Sequence, residues 1–461
     1  MKKINKKTII PSIGTLVILS SLIIYIVLSA VGIVENPFFD GKPLGNNKEI
    51  QSSVAEDVNK NAPKNTWNLQ ALELSPEQIS QSISNNVAIL KELSPFVSIT
   101  IKDAVTNKTL YSLNDKTANS VASATKLLSM ITSIEELGEN YQFTTKTSID
   151  KNNNLYLYSN GDILLNAQNS DLNNVNGYAG LKTLAEETAK YLQKNNIKTV
   201  NLNIDDTYFG NEKTLSSWAE QKSESYIGKV TPMAINAGFV NKDFSDAPEK
   251  IVSETFATHL QNLGIQVNQI NEHKKTPKII RNIANIKSDK LKNIIKHTLK
   301  ESDNTTAETI SRAAAIKAGY KPTFKDTTRF IKNTLKNLDI DTADLSLEDA
   351  SGLSRNSKIT TTTLTSALEK TFVDNVKLFE IYNSLPISGT DGTLKQRLTN
   401  IPGKVLAKTG TLPQTSSLSG VVFTNSGRTL SFSISATNFD EKTFWNVRQN
   451  IDILVETLQK Q

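Results

Sequence analysis

Hydrophobic positions after residue 75 recur at the spacing of an α-helix. Ser75 and Pro76 precede them, and a serine N-cap followed by proline at the first helical position is a common helix start. The apolar positions of this pattern are Ile79, Ile83, Val87, Leu90 and Leu93. We therefore expect a helix that begins at residue 76.

Strand patterns occur near both ends of the chain. Residues 96–101 alternate between apolar and polar positions, and residues 109–113 provide a return strand after a turn. Near the C-terminus, strands are predicted at residues 405–408, 417–423 and 429–437, followed by an amphipathic helix at 441–460. This symmetry predicts one antiparallel sheet built from both ends of the chain, with helices packed against it.

The middle of the chain has a different pattern. Residues 155–158 and 200–204 are strand-like, residues 181–192 are helical, and no stretch suggests a nucleophile. We expect residues 135–279 to form an inserted, mostly β domain or a pair of small domains.

The N-terminus carries an export signal. A cluster of lysines precedes an uncharged, mostly apolar run over residues 8–34, which is longer than the roughly 20 residues that a bilayer span needs. Such lysines stay cytoplasmic, so residues 1–34 predict a membrane anchor with the rest of the chain outside. A cleaved signal peptide with a site near Ala30 or Gly32 is the alternative. Residues 35–74 are polar and predict a tether.

Composition narrows the chemistry. The chain has 461 residues, a net charge of +6 and no cysteine. The absence of cysteine excludes a thiol nucleophile and thiolate metal sites, and none of the three histidines lies in a motif. The modest positive charge fits a lysine-rich surface, and we expect no nucleic-acid partner.

The string Ser123-Ala124-Thr125-Lys126 offers a nucleophile and a base. On a helix, residues three apart lie on one face, with Cβ atoms about 5–6 Å apart. A serine hydroxyl needs a base within hydrogen-bond reach, and a lysine amine serves only if its pKa is depressed. Ser148 and Lys151 have the same spacing, but they lie among polar residues where we expect a turn. Ser123 is favoured because a strand pair precedes it and an apolar run follows it.

Two further strings supply polar groups. Ser302-Asp303-Asn304 lies between helical stretches at 291–299 and 307–318, where a loop can present a hydroxyl for proton relay and a carboxamide for a substrate amide. Other S-x-N strings start at Ser84, Ser112 and Ser354, and the first two are explained by a helix and by a strand end.

Lys408-Thr409-Gly410 ends a predicted strand, where an extended peptide can pair with the backbone. Lys408 would attract a substrate carboxylate and Thr409 would hydrogen-bond it. Gly410 would allow close approach. The backbone N–H groups of Ser123 and Thr411 are the expected oxyanion hole.

In this order, S-x-x-K, S-D-N and K-T-G are the motif set of penicillin-binding proteins and class A β-lactamases. The chain resembles the low-molecular-mass class C penicillin-binding proteins, the D-alanyl-D-alanine carboxypeptidase/endopeptidase family. The resemblance covers residues 75 to about 440. Beyond the three motifs it is carried by residues 205–209, 302–308, 349–355, 385–397, 407–412 and 418–420. Two segments depart from the pattern: Gly161-Asp162-Ile163-Leu164 replaces Gly-Asp-Pro-Thr, and Ala350 replaces glycine.

The resemblance implies an α/β (α+β) fold. It is a penicillin-binding-protein/β-lactamase-like transpeptidase domain, with an antiparallel sheet flanked by helices. Residues 75–134 and 280–461 would form this serine DD-peptidase domain, and residues 135–279 would interrupt it. The implied location is the cell envelope, with the catalytic domain on the periplasmic side of the membrane.

The implied reaction removes the terminal D-alanine from peptidoglycan stem peptides, and hydrolysis of cross-links remains open as a second activity. Ser123 would be acylated, Lys126 would be its base partner, and Ser302, Asn304 and Lys408 would complete the proton and substrate network. The resemblance also implies that substrate is bound by Thr409, Gly410 and Thr411. The implied partners are stem peptides and, as inhibitors, β-lactam antibiotics; no metal or organic cofactor is needed.

Two other functions remain open at this point. A β-lactamase on the same scaffold would also be acylated by penicillin, but it would release the hydrolysed drug rapidly. A membrane-tethered peptidoglycan-binding protein without activity would retain the fold alone. All the motif residues are retained in this chain, which favours the enzyme.

Overall fold

The helix predicted after Ser75 is the first regular element of the structure, a computed structural model that describes residues 71–372 and 376–461. It spans Pro76–Leu93 and has a capping box, in which Ser75 N–H donates to Gln78 Oε1 (2.8 Å) and Gln78 N–H donates to Ser75 Oγ (3.1 Å). The predicted anchor and nearly all of the tether lie outside the described residues. Leu74, at the end of the predicted tether, is buried in the core.

Strands are found in both halves of the described chain. They are β1 Phe96–Asp103, β2 Thr109–Leu113, β3 Thr144–Ile149, β4 Asn154–Ser159, β5 Asp162–Leu165, β6 Thr199–Asp205, β7 Met233–Ile235, β8 Phe239–Val240, β9 Asp243–Phe244, β10 Gln266–Asn271, β11 Arg281–Lys287, β12 Val405–Leu412, β13 Thr415–Phe423 and β14 Thr429–Thr437.

Helices separate and cover these strands. They are α1 Pro76–Leu93, α2 Lys126–Leu137, α3 Leu181–Lys194, α4 Ser216–Glu220, α5 Pro248–Asn262, α6 Leu291–Glu301, α7 Asn304–Lys317, α8 Phe324–Asn337, α9 Thr361–Lys370, α10 Val376–Asn383 and α11 Phe444–Gln459. None of the helices described is long and apolar enough to cross a membrane.

The sheet predicted from the two ends of the chain is present. Its order is β12-β13-β14-β1-β2, and every neighbouring pair is antiparallel. Helices α1 and α11 pack against each other and enclose one apolar core with the sheet. Helix α9 packs against β14 and β1, and α2 packs against α7. The sheet is therefore fully buried along its central strands, and only its outer strands offer an edge.

A second five-stranded sheet lies in the intervening segment. Its order is β10-β6-β4-β3-β11, with β6 parallel to both of its neighbours and β3 antiparallel to both of its own. Helices α3 and α5 pack against each other next to this sheet and share its apolar core. The segment is thus mixed α/β rather than mostly β. Strand β11 pairs with β3, so the boundary predicted at residue 279 falls before the last strand of this sheet.

The prediction of a turn at Ser148 is wrong. Ser148 lies inside β3 and is fully buried, and its Oγ is 3.1 Å from the hydroxyl of Tyr158 on β4. Thr147 on the same strand is also buried and pairs with Thr188 (2.9 Å). Polar residues are stable in this strand because hydroxyl groups on neighbouring elements satisfy them.

A buried ion pair joins the start of the first sheet to its last hairpin. Arg428 contacts Asp103 through Nε–Oδ2 (2.5 Å) and Nη2–Oδ1 (3.0 Å), and the two side chains are 3% and 2% exposed. The carboxylate also accepts the N–H groups of Val105 and Thr106 (both 2.9 Å). The pair thereby fixes the turn after β1 against the β13–β14 hairpin.

Arg428→Leu should lower the free energy of unfolding by about 3–5 kcal/mol, because it leaves a buried carboxylate without its counter-ion. Arg329→Leu is the matched control, since Arg329 is 58% exposed in its pair with Asp326 and should lose no more than about 1 kcal/mol. Urea denaturation of both variants measures the difference. Equal losses would mean that the buried pair has no special structural role.

Candidate active site

Ser123 lies in a tight turn at the start of α2. A turn of 3₁₀ helix at Ala122–Thr125 leads directly into α2, and Ala122 has a positive φ of 49°. The turn is held by the first sheet: Ser417 Oγ–H donates to the carbonyl of Val121 (2.7 Å). A Cβ on Gly410 would lie 2.1 Å from that same carbonyl oxygen. Gly410 therefore lets β12 lie against this turn, so the close approach that the sequence predicts at Gly410 includes the backbone of Val121.

The side chain of Lys126 connects three separate parts of the chain. Its Nζ donates to Ser123 Oγ (3.0 Å), to Asn304 Oδ1 (2.6 Å) and to the carbonyl of Ser351 (2.8 Å). The side chain is fully buried. Burial lowers the pKa of Lys126 to about 8, against the opposing effect of nearby carboxylates, of which Asp349 is the strongest. At pH 7 about a tenth of this amine is therefore neutral and free to accept a proton.

Lys408 forms a second buried ammonium site. Its Nζ donates to Ser302 Oγ (3.0 Å) and to the carbonyl of Thr409 (3.0 Å). Burial, followed by repulsion from Lys126 and Arg397, holds the pKa of Lys408 well below its usual range. Ser302 is placed by a left-handed backbone conformation (φ 59°) between α6 and α7. The predicted residues Ser123, Lys126, Ser302, Asn304 and Lys408 thus lie in two adjoining hydrogen-bonded groups.

Asn304, the first residue of α7, is engaged at both ends of its carboxamide. Its Oδ1 accepts from Lys126, and its Nδ2 donates to the carbonyl of Tyr226 (2.9 Å). The next residue, Thr305, accepts the N–H of Gly228 through its Oγ1 (2.9 Å). The segment around Tyr226 therefore closes one side of the site. Sequence reasoning missed this segment because its contribution is a backbone carbonyl, which leaves no side-chain signal.

Strand β12 presents its outer edge next to these groups. The N–H of Ala407 donates to the carbonyl of Pro386 (3.0 Å), and the N–H of Val405 donates to Ser388 Oγ (3.1 Å). Alternate residues of a strand turn their backbone groups to the same edge, so Thr409 and Thr411 face this edge as well. Thr409 Oγ1 contacts Thr393 Oγ1 (2.8 Å), and Thr411 is exposed. The edge beyond Ala407 has the geometry to receive an extended segment.

Two buried carboxylates orient the loop that accepts from Lys126. Glu308 Oε1 accepts the N–H groups of Ala350 (2.9 Å) and Ser351 (2.7 Å), and Asp349 accepts the indole N–H of Trp218 (3.0 Å). Burial and the neighbouring Asp349 raise the pKa of Glu308 to about 7. Glu308 and Asp349 lie in segments 302–308 and 349–355, which resemble the family, but no role was predicted for either carboxylate from the sequence.

Glycine is required in the same loop. Gly352 has a φ of 75°, and a Cβ there would lie 2.0 Å from the carbonyl oxygen of Ala122. The loop therefore packs directly on the turn that carries Ser123. Ala350, which replaces the glycine of the family pattern, donates its backbone N–H to Glu308.

The segment Gly161-Asp162-Ile163-Leu164 keeps the glycine and aspartate of the family pattern and departs from it at Ile163 and Leu164. It lies at β5, which pairs with β7 in a two-stranded sheet. Asp162 begins β5 and is 2% exposed, and its Oδ1 accepts the N–H of Leu164 (3.2 Å). Burial raises its pKa to about 7.

The chain is similar in sequence to known carboxypeptidases. The H. influenzae D-alanyl-D-alanine carboxypeptidase DacB is 31% identical over 185 residues, 39% of this chain and 38% of that protein. Carboxypeptidase DacB of Mycolicibacterium smegmatis is 32% identical over 163 residues, 34% of this chain and 35% of that protein. The aligned region thus spans little more than a third of these relatives.

The fold has a solved counterpart. Penicillin binding protein 4 (dacB) from Haemophilus influenzae matches with a TM-score of 0.66 at 22% identity, covering 82% of this chain and 99% of that one. The same protein in complex with a β-lactam matches with a TM-score of 0.64. These matches confirm the expected α/β fold.

The family profile covers nearly all of the described chain. The D-Ala-D-Ala carboxypeptidase 3 (S13) family matches residues 79–246 and 243–458. The family expected from the motifs is therefore confirmed, and this chain belongs to the D-Ala-D-Ala carboxypeptidase 3 (S13) family.

Proposed function

We propose that the chain is a serine-type D-Ala-D-Ala carboxypeptidase that acts on peptidoglycan stem peptides through a seryl acyl-enzyme and is inhibited by penicillin. The observation that carries this proposal is the 3.0 Å contact between Lys126 Nζ and Ser123 Oγ, at an amine whose pKa is lowered to about 8. A half-buried hydroxyl beside a buried, partly neutral amine is the arrangement that nucleophilic catalysis by serine requires.

Acylation then follows from the contacts around Ser123. The neutral amine of Lys126 takes the hydroxyl proton, and Oγ attacks the carbonyl carbon of the penultimate D-alanine. The backbone N–H groups of Ser123, in the first turn of its helix, and of Thr411, on the edge of β12, stabilise the oxyanion. The C–N bond breaks, and the leaving amine takes a proton from the Ser302 hydroxyl, a proton that Lys408 replaces. The proton that Lys126 gains is thus balanced by the one that Lys408 loses. Water then hydrolyses the ester.

Lys408 and the edge of β12 account for substrate binding. The ammonium form of Lys408 would attract a peptide that ends in a carboxylate. The hydroxyl of Thr409, which donates to Thr393 Oγ1 (2.8 Å), would turn to donate to that carboxylate. Gly410 keeps β12 close to the turn of Ser123, so a peptide paired with Thr411 is brought next to the nucleophile. Cross-link hydrolysis uses the same groups, and we include it as a second activity.

This function fits the arrangement inferred for the rest of the chain. Residues 1–34 would anchor the enzyme, and residues 35–74 would hold the peptidase outside the cytoplasmic membrane, where peptidoglycan is located. The peptidase domain would be interrupted by an insertion that ends after β11, at residue 287 rather than 279.

Benzylpenicillin should form a stable one-to-one adduct with the full chain in detergent, and Ser123→Ala should abolish it. Ser148→Ala, the other serine with S-x-x-K spacing, is the matched control and should keep the adduct. Intact-mass analysis reads out the adduct, and release of D-alanine from a peptide ending in D-Ala-D-Ala reads out the reaction. Rapid appearance of hydrolysed drug would instead identify a β-lactamase, and intact drug without an adduct would favour a binding protein.

The acylation rate should rise with pH until about pH 8, because the amine of Lys126 accepts the proton only when it is neutral. Below its pKa, the neutral fraction grows about tenfold for each pH unit. Penicillin acylation followed between pH 6 and 10 measures the profile. Lys126→Arg, which keeps the positive charge, should abolish acylation at every pH. A flat profile in the wild type would show that another group takes the proton.

Glu308→Ala should slow acylation by about ten- to a hundredfold, because it leaves the N–H groups of Ala350 and Ser351 unpaired and frees the carbonyl that holds Lys126. Glu308→Gln can still accept both N–H groups and should restore most of the rate. Glu187→Ala, at an exposed position on α3, is the control. Acylation rate and thermal midpoint are measured together, since equal defects in Glu308→Ala and Glu308→Gln would contradict a positioning role.

A further inference from the structure

A cavity of about 410 Å³ opens on the polar side of the second sheet. None of the acylation residues lines it. The volume lies within the roughly 300–1,000 Å³ of small-molecule sites. Its main lining residues are Lys146, Tyr158, Asn160, Asp205, Tyr208 and Lys275.

The wall of the cavity is a row of side chains on three adjacent strands. Lys146 on β3 is directly opposite Tyr158 on β4, which is directly opposite Asp205 on β6. Leu157, the preceding residue of β4, is fully buried on the opposite, apolar face. Directly opposite residues have Cβ atoms about 4.5–5.5 Å apart, so these side chains form one continuous surface.

The hydrogen-bond acceptors of this wall already receive hydrogen bonds from neighbouring residues of the protein. Asp205 Oδ1 accepts the N–H (3.1 Å) and the hydroxyl (2.7 Å) of Thr207, and its Oδ2 accepts the N–H of Thr276 (2.7 Å). Burial opposes ionisation of Asp205, but these hydrogen bonds prevail and lower its pKa. Asn160 is likewise engaged, accepting the N–H of Thr144 (2.7 Å) and donating to the hydroxyl of Tyr141 (2.8 Å).

The donor groups, in contrast, are open. Within the part of the chain that the structure describes, the ammonium groups of Lys146 and Lys275 and the hydroxyl of Tyr208 have no hydrogen-bond or ion-pair partner. Tyr208 is 38% exposed, and Tyr158 is half-buried. The cavity therefore presents two positive charges, a hydroxyl donor and two tyrosine side chains. Asp205 is the one carboxylate among the lining residues, and its oxygens already accept three hydrogen bonds, so the two lysines give the cavity a net positive charge.

We propose that this cavity binds an anionic sugar, whose carboxylate or phosphate pairs with Lys146 and Lys275 and whose ring packs against Tyr158 and Tyr208. Charge-assisted hydrogen bonds hold the anion, and the apolar faces of a pyranose suit aromatic side chains. The choice of a sugar rests on the proposed function, because muramic acid in the peptidoglycan glycan has a free carboxylate wherever its stem peptide has been removed. The enzyme would then hold the polymer at a point away from the bond that it cleaves.

Titration calorimetry with the full chain tests the site with three probes. N-acetylmuramic acid carries a carboxylate, N-acetylglucosamine 1-phosphate carries a phosphate, and N-acetylglucosamine is the neutral match. Binding of either anionic sugar in preference to the neutral one supports the site. The anionic sugar that binds more tightly shows whether the site prefers a carboxylate or a phosphate. Equal binding of the neutral sugar, or binding of none of the three, overturns the proposal.

Two double variants locate the binding. Lys146→Met with Lys275→Met should weaken the anionic sugar at least about tenfold. Lys151→Met with Lys190→Met removes two exposed lysines elsewhere in the same segment and should leave binding unchanged. Both should keep the thermal midpoint and the penicillin acylation rate of the wild type. Unchanged affinity in the cavity variant overturns the proposal, whereas sugar binding that persists in Ser123→Ala separates this site from the fate of the proposed reaction.

Discussion

The buried ammonium group of Lys126 is the interaction on which the rest of the site depends. A lysine amine without solvent is stable only when acceptors surround it, and here Ser123, Asn304 and Ser351 provide them. These acceptors come from three distant parts of the sequence. Desolvation of one amine therefore requires the turn before α2, the start of α7 and the loop at residues 349–355 to meet.

Charge balance around this amine decides what it can do. Burial lowers its pKa, while the carboxylates of Asp349, Asp303 and Glu308 raise it, and the result lies near 8. Lys408 has no carboxylate among the main influences on its pKa, and burial with repulsion from Lys126 and Arg397 holds that pKa well below its usual range. A bound substrate carboxylate would supply a counter-charge and favour the ammonium form of Lys408. In the proposed reaction the two lysines thus have different tasks, one as a base and the other as a relay and a charge for the substrate carboxylate.

Much of this arrangement could be predicted from the sequence, where side chains carry the signal. The cap at Ser75, the alternating strands and the three motif strings all concern side chains in short local patterns. The prediction failed where the position of a residue depends on backbone groups or on partners that are distant in the sequence. The carbonyls of Tyr226 and Ser351 have no side-chain signature, and Ser148 is stable in a buried strand because Tyr158 provides a partner. For Gly410, the sequence indicated close approach but not that its neighbour is Val121.

The edge of β12 connects the fold to the proposed specificity. An exposed strand edge invites pairing with any extended chain, and proteins cover most of such edges. Here the segment at residues 386–388 pairs with β12 up to Ala407 and is held by Asp391, which accepts the N–H of Ile387 (2.8 Å) and contacts Lys300. Among the described residues, the backbone edge beyond Ala407, at the buried Thr409 and the exposed Thr411, has no strand paired with it on this side. In the proposed reaction, a ligand can therefore pair over a few residues beside Lys408, which suits the end of a peptide better than its middle.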